Sequence, residues 1–181
     1  MAAAGCAHGR SADTAAAHGP FAGVPNVGIR YYSVSGTTPE EIRRSMEPQR
    51  PKDSWDGMAV DAVTRWTYSW SLPGDSSRCD PDQARVGFEA LVILPRLANP
   101  EQVPPEVRQR WDAFVTSLEK HEAYHVRHAW ENRGEVLKAI RASSCKSWNE
   151  AAQAAARRVA EQQRAYDVET RHGATEVVPF H

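Results

Sequence analysis

The chain has 181 residues, 41% of them apolar, and its 22 Lys and Arg against 23 Asp and Glu leave a formal charge of −1. A chain of that length can bury roughly 70% of the surface its unfolded form exposes, so one domain can build a core without a metal or disulfide. The balanced charge, with no dense Lys/Arg run, argues against a nucleic-acid reader, and no apolar stretch approaches the ~20 residues that span a bilayer.

Residues 1–25 are rich in Ala and Gly and read as a flexible leader or truncated export segment, which leaves residues 26–181 as the folded domain. Ala3-Ala4-Gly5-Cys6 has the form of a bacterial lipoprotein cleavage site and makes Cys6 a candidate lipid anchor, although the basic and apolar stretches that should precede such a site are missing. From Val27 to Ser35 a β-rich alternating run ending at Gly36 predicts a strand. Thr38-Pro39-Glu40-Glu41 then opens a short helix, with a capping Thr, Pro in the first turn and Ile42 and Met46 facing inward. Thr64 to Leu72 predicts a second strand with Trp66, Tyr68 and Trp70 on one side. Arg85 to Leu94 predicts a third, stopped by Pro95, and three strands in sequence suggest a small, mostly antiparallel sheet.

From Pro105 the period becomes helical, with Trp111, Phe114, Val115, Leu118, His121, His125, Ala129, Val136 and Ile140 on one stripe. Ser147-Trp148-Asn149-Glu150 has the form of a capping box and starts a last helix, whose inner face carries Ala152, Ala155, Val159 and Tyr166, with Gly173 as its stop. Cys79 and Cys145 sit at element boundaries where two loops could meet and read as a disulfide; the alternative is two free thiols in a cytosolic protein.

His121-Glu122-Ala123-Tyr124-His125 fits H-E-x-x-H, which puts two imidazoles one helical turn apart with a glutamate beside them. Zinc needs that geometry, since histidines at i and i+4 can converge on one ion about 2.0–2.1 Å from each nitrogen while the glutamate takes a proton from the activated water. His128 is one turn further on and reads as a supporting or surface residue. Glu131 lies about 9 Å along the helix from His125, too far to share the ion. If the last two helices form an antiparallel hairpin closing near Cys145, facing residue numbers sum to about 290, and Tyr166 to Gly173 return to the motif.

These residues resemble a known family. The H-E-x-x-H motif, Tyr166-Asp167 with Thr170 and His172-Gly173, the opening Tyr31-Tyr32-Ser33-Val34-Ser35-Gly36, the Trp-rich strand and the two later cysteines look like the bacterial domain-of-unknown-function 922 family, described as predicted secreted zinc-dependent proteases. The resemblance covers about Val27 to Phe180 and implies a zincin-like fold, zinc on His121 and His125, Glu122 as the catalytic base, and export.

Among Asp167, Glu169 and His172, imidazole is the commoner zinc ligand beside two others, which favours His172 as the third ligand and makes Asp167 an acceptor that orients a ligand histidine. The alternative puts Asp167 on zinc and gives His172 the oxyanion; Tyr166 is either an oxyanion donor or a core tyrosine. The expectation is therefore an α+β, zincin-like domain, a small antiparallel sheet packed on a long helix hairpin. It would be a monomeric zinc peptidase, periplasmic or secreted, acting on a peptide or protein through metal-activated water and Glu122, with the Arg85–Leu94 strand as the edge that pairs with substrate. The rivals are a non-catalytic zinc-stabilised scaffold of the cell envelope and a metal-free module that binds through Trp66 and Trp70.

Overall fold

The computed structural model describes residues 14–75 and 77–181. Strands β1 (Thr14–Ala16), β2 (Val27–Val34), β3 (Val63–Ser71) and β4 (Arg85–Leu97) form one sheet, and helices α1 (Pro39–Met46), α2 (Pro105–Arg141) and α3 (Trp148–Thr170) complete the α+β fold. The strand order is β1-β2-β4-β3, with β1–β2 and β3–β4 antiparallel and β2–β4 parallel.

That order corrects two expectations. The sheet is mixed rather than antiparallel, because β4 inserts between β2 and the strand that precedes it. The substrate-edge assignment also moves: β4 is interior, and β1 and β3 are the edge strands among the described residues. β4 shows its place in its composition, since Val92 and Leu94 are buried on one face and Ile93 on the other, the two-sided burial of a central strand. β4 also passes through Pro95 to Leu97 instead of stopping at Leu94. Ala90 and Ala98 donate to β2 through Asn26 O and Val34 O, so the missing N–H of Pro95 points the other way, beyond Val63 where β3 begins. No ladder bond is lost there.

The folded region starts earlier than expected. Residues 14–25 contribute β1 and a single 3-10 turn that buries Phe21 completely and Val24 nearly so, anchors that the Ala- and Gly-rich composition conceals. Cys6 lies outside the described residues.

Helix α1 forms as read, with Thr38 and Glu41 in a reciprocal capping box and Ile42 and Met46 buried. Helix α2 runs 37 residues unbroken through Gly134, and its inward stripe from Trp111 through Ile140 packs across the sheet. Tyr68 donates its hydroxyl to the Ala129 carbonyl, and Thr64 Oγ1 donates to the Glu122 carbonyl at 3.3 Å, which pins β3 to the middle of α2. Ala152, Ala155 and Val159 are small enough to bring α3 close against α2. The expected box at Ser147 does not form: Ser147 Oγ turns back to Ser144 Oγ at 2.9 Å, although the helix still starts at Trp148. Cys79 and Cys145 are disulfide-bonded, with Cα atoms 5.5 Å apart, and tie the β3–β4 connection to the α2–α3 turn.

Candidate metal centre

The i, i+4 spacing on α2 puts His121 and His125 on the face covered by α3, and burial holds His121, Glu122 and His125 at 5%, 4% and 6% exposure. Three polar side chains cannot stay in such a place without partners. The hairpin supplies them to the two histidines. Asp167 Oδ1 lies 3.0 Å from His125 Nε2 and 3.4 Å from His121 Nε2, and the two Nε2 atoms are 3.3 Å apart. A tetrahedral zinc with ligands at about 2.0–2.1 Å spaces its ligand atoms roughly 3.3 Å from one another, so this triangle fits such an ion without rearrangement.

The other ring nitrogens are fixed from outside. Gln163 is buried on α3, and His125 Nδ1 lies 2.8 Å from its Oε1, while its Nε2 donates to the His125 carbonyl at 3.1 Å. His121 Nδ1 lies 3.1 Å from Glu176 Oε2, which also accepts from the Tyr166 hydroxyl at 2.7 Å. Such partners set the tautomer and aim the other ring nitrogen at the Asp167 carboxylate. The sequence reading identified neither Gln163 nor Glu176. Tyr166 is half-buried rather than a core residue; its ring stacks on Tyr124 at 3.7 Å and on His121 at 5.1 Å. His128 stacks on Tyr124 at 5.5 Å and is not one of the convergent groups.

Asp167, and not His172, is the residue that converges with the two motif histidines. Asp167 supplies the oxygen nearest both motif histidines, whereas His172 Nε2 lies 3.1 Å from Asp56 Oδ2 and its ring groups with Asp53 and Asp167. The reason is where α3 ends. The helix stops at Thr170, and Arg171 and His172 follow in left-handed conformation, each with φ of 53°, which swings the His172 ring toward the 53–57 loop. Gly173 continues the turn at φ 81° and passes so close to His121 that a β-carbon there would lie 3.1 Å from the ring.

Burial alone would raise the Asp167 pKa, but hydrogen bonds from the two imidazoles outweigh it and hold the carboxylate well below its usual range. Burial likewise opposes charge on His121 and His125. For His121 the hydrogen bonds to Asp167 and Glu176 outweigh it, and for His125 the bond to Asp167 and the Glu122 charge do so, and both pKa values rise. Burial pushes the Glu122 carboxyl up. A cleft of about 500 Å3 opens onto these groups, walled by Thr64 and Trp66 of β3, Asp53 and Trp55 of the preceding loop, and Arg164 of α3.

A mixed sheet edge lying beside a helix that carries two convergent histidines and a buried glutamate defines a candidate metal centre in an α+β domain. The family model described as "bacterial protein of unknown function (DUF922)" matches residues 29–173, and the chain belongs to that family. No curated protein and no solved structure matches.

Proposed function

We propose that the chain is a zinc-dependent peptidase with a zincin-like arrangement, working in an oxidising compartment of the cell envelope or outside the cell. The observation that carries this reading is the triangle of His121 Nε2, His125 Nε2 and Asp167 Oδ1 beside a glutamate that takes no part in it. Asp167 is the third ligand in this reading, in place of His172. The Cys79–Cys145 bridge supports the compartment, because disulfides persist where thiols are not kept reduced.

Zinc held on these three residues would supply Lewis-acid polarisation of the scissile carbonyl and a lowered water pKa. The chain's own part begins with Glu122, which accepts the proton of the attacking water as its oxygen bonds to the carbonyl carbon. Glu122 then delivers that proton to the amide nitrogen as the C–N bond breaks, so one carboxylate serves as base and acid. Glu176 and Gln163 hold the two imidazoles so that no orientation has to be found during the reaction. With its hydroxyl engaged by Glu176, Tyr166 positions a ligand rather than an oxyanion. The free edge of β3 lines the cleft, and an extended peptide adding to it would bring its main chain past Glu122. Every residue invoked belongs to one chain, so a monomer suffices.

The test is hydrolysis of a denatured protein by zinc-loaded material, read as new amino termini. Turnover that stops on chelation and returns with zinc is expected, and a zinc-loaded protein that releases nothing from a broad peptide library overturns the peptidase reading.

A further inference from the structure

A second set of ligand atoms adjoins the first. One atom each from Asp53, Asp167 and His172 lie within 4.8 Å of one another, the same spacing that unites His121, His125 and Asp167. Among the described residues that spacing does not join His172 to the two motif histidines, while Asp167 belongs to both groups. The loop that brings Asp53 is a tight turn: Asp53 N donates to the Met58 carbonyl at 2.9 Å and Gly57 N to the Asp53 carbonyl at 3.1 Å. One oxygen of Asp53 accepts from Trp55 N, which orients the carboxylate, and Asp53 lines the cleft. Asp56, on the same turn, holds the His172 ring at 3.1 Å.

Asp53 and Asp56 bring two further carboxylates to the His172 imidazole, beside the Asp167 that also faces His121 and His125. Arg65 and Arg164 line the same cleft, yet among the described residues neither forms an ion pair with any of the three.

We propose that the centre holds two divalent cations, the second on Asp53, Asp167 and His172, with the Asp167 carboxylate bridging the two positions and Asp56 orienting His172. This rests on the first site being a metal centre. One imidazole with two carboxylates suits zinc or manganese better than calcium or copper, and a carboxylate-bridged pair is the arrangement that clamps both sides of a hydrolysed bond.

The experiment is a zinc chloride titration of the whole chain, stripped by chelator, with bound ions counted by native mass spectrometry and affinities read by calorimetry. Two equivalents are expected for the wild type, the second at least tenfold weaker. Asp53→Asn should reduce the count to one and leave the tight site within about threefold, and His172→Gln should do the same, so that a failure of either variant to fold leaves the other. A wild type that takes one equivalent overturns the second site and leaves the first reading standing. Two equivalents persisting in both variants place the second ion elsewhere and overturn it too. If His172→Gln instead abolishes a single equivalent, His172 is a ligand of one ion and the bridged pair is wrong. A wild type that takes none removes both readings together.

Discussion

Glu176 lies beyond the end of α3, yet its Oε2 sits 3.1 Å from His121 Nδ1, across the Gly173 turn that packs on the same imidazole. The carboxylate thus fixes which nitrogen of His121 is left to face Asp167. Partners of this kind typically account for about 10–100-fold in metal affinity. Glu176→Gln should weaken zinc toward the lower end of that range, because the amide can still accept, and Glu176→Ala toward the upper end. Competition with a chromophoric chelator measures both, and unchanged affinity in Glu176→Ala would show that the His121 orientation is set without it.

Gly173→Ala tests the same contact from the backbone side. The added β-carbon would meet His121 Cγ at 3.1 Å and Val177 Cγ2 at 3.2 Å, in a left-handed conformation that alanine disfavours by about 1 kcal/mol. The expected outcome is a loss of about 1–2 kcal/mol in denaturant unfolding together with weaker zinc binding. A variant that loses stability but keeps full zinc affinity would separate the turn from the site.

Cys79 and Cys145 are 66 residues apart in sequence, and closing that span stabilises mainly by restricting the unfolded chain. Replacing both with serine should cost about 2–4 kcal/mol in chemical denaturation while leaving the zinc count unchanged, since the bridge is at the far end of the hairpin from the motif.

Metal-free protein should respond to pH in a defined direction. The folded pKa values of His121 and His125 lie above the unfolded value of about 6.5, so their contribution is fully present below that pH and is lost as pH rises through the folded values. Glu122, whose carboxyl is pushed up by burial, acts in the same direction. Asp167 is held low, so its contribution is present above about pH 4 and lost as pH falls. Thermal unfolding in chelator should therefore be latest between about pH 4.5 and 6.5 and earlier toward pH 8. With zinc the trend on the alkaline side reverses, because zinc binds only deprotonated imidazoles. A chelated protein whose midpoint rises steadily to pH 8 would contradict the two histidine shifts.

Much of this site could be read from sequence because its first half is local. His121, Glu122 and His125 lie within one helical turn on the stripe begun by Trp111, and the helix period alone fixes their mutual geometry. The hairpin register held as well: His125 meets Gln163 and His121 meets Asp167, pairs whose numbers each sum to 288, close to the expected 290. Gln163 was within reach of the same reasoning, since it continues the stripe of Val159 by one turn and is a polar residue facing a histidine. The choice between Asp167 and His172 was not, because it turns on α3 ending at Thr170 with two left-handed residues, which no periodicity announces. Nor was Glu176, which follows a turn and shares no helix with its partner. The sheet order is only half legible: the unbroken apolar run from Ala90 to Leu94 carries the signal of a central strand, against the edge expected there, and which neighbour is parallel depends on the path of the whole chain.

Zinc content and turnover measured together on Glu122→Gln test the peptidase reading most directly. Glu122 stands beside the ligand triangle and outside it, so the variant should keep the zinc of the wild type while hydrolysis of a denatured protein falls by about 10²–10⁴-fold, the worth of general-base assistance. Near-normal hydrolysis at full zinc occupancy would contradict the account, and so would loss of the metal, which would make Glu122 part of the site's structure rather than its chemistry.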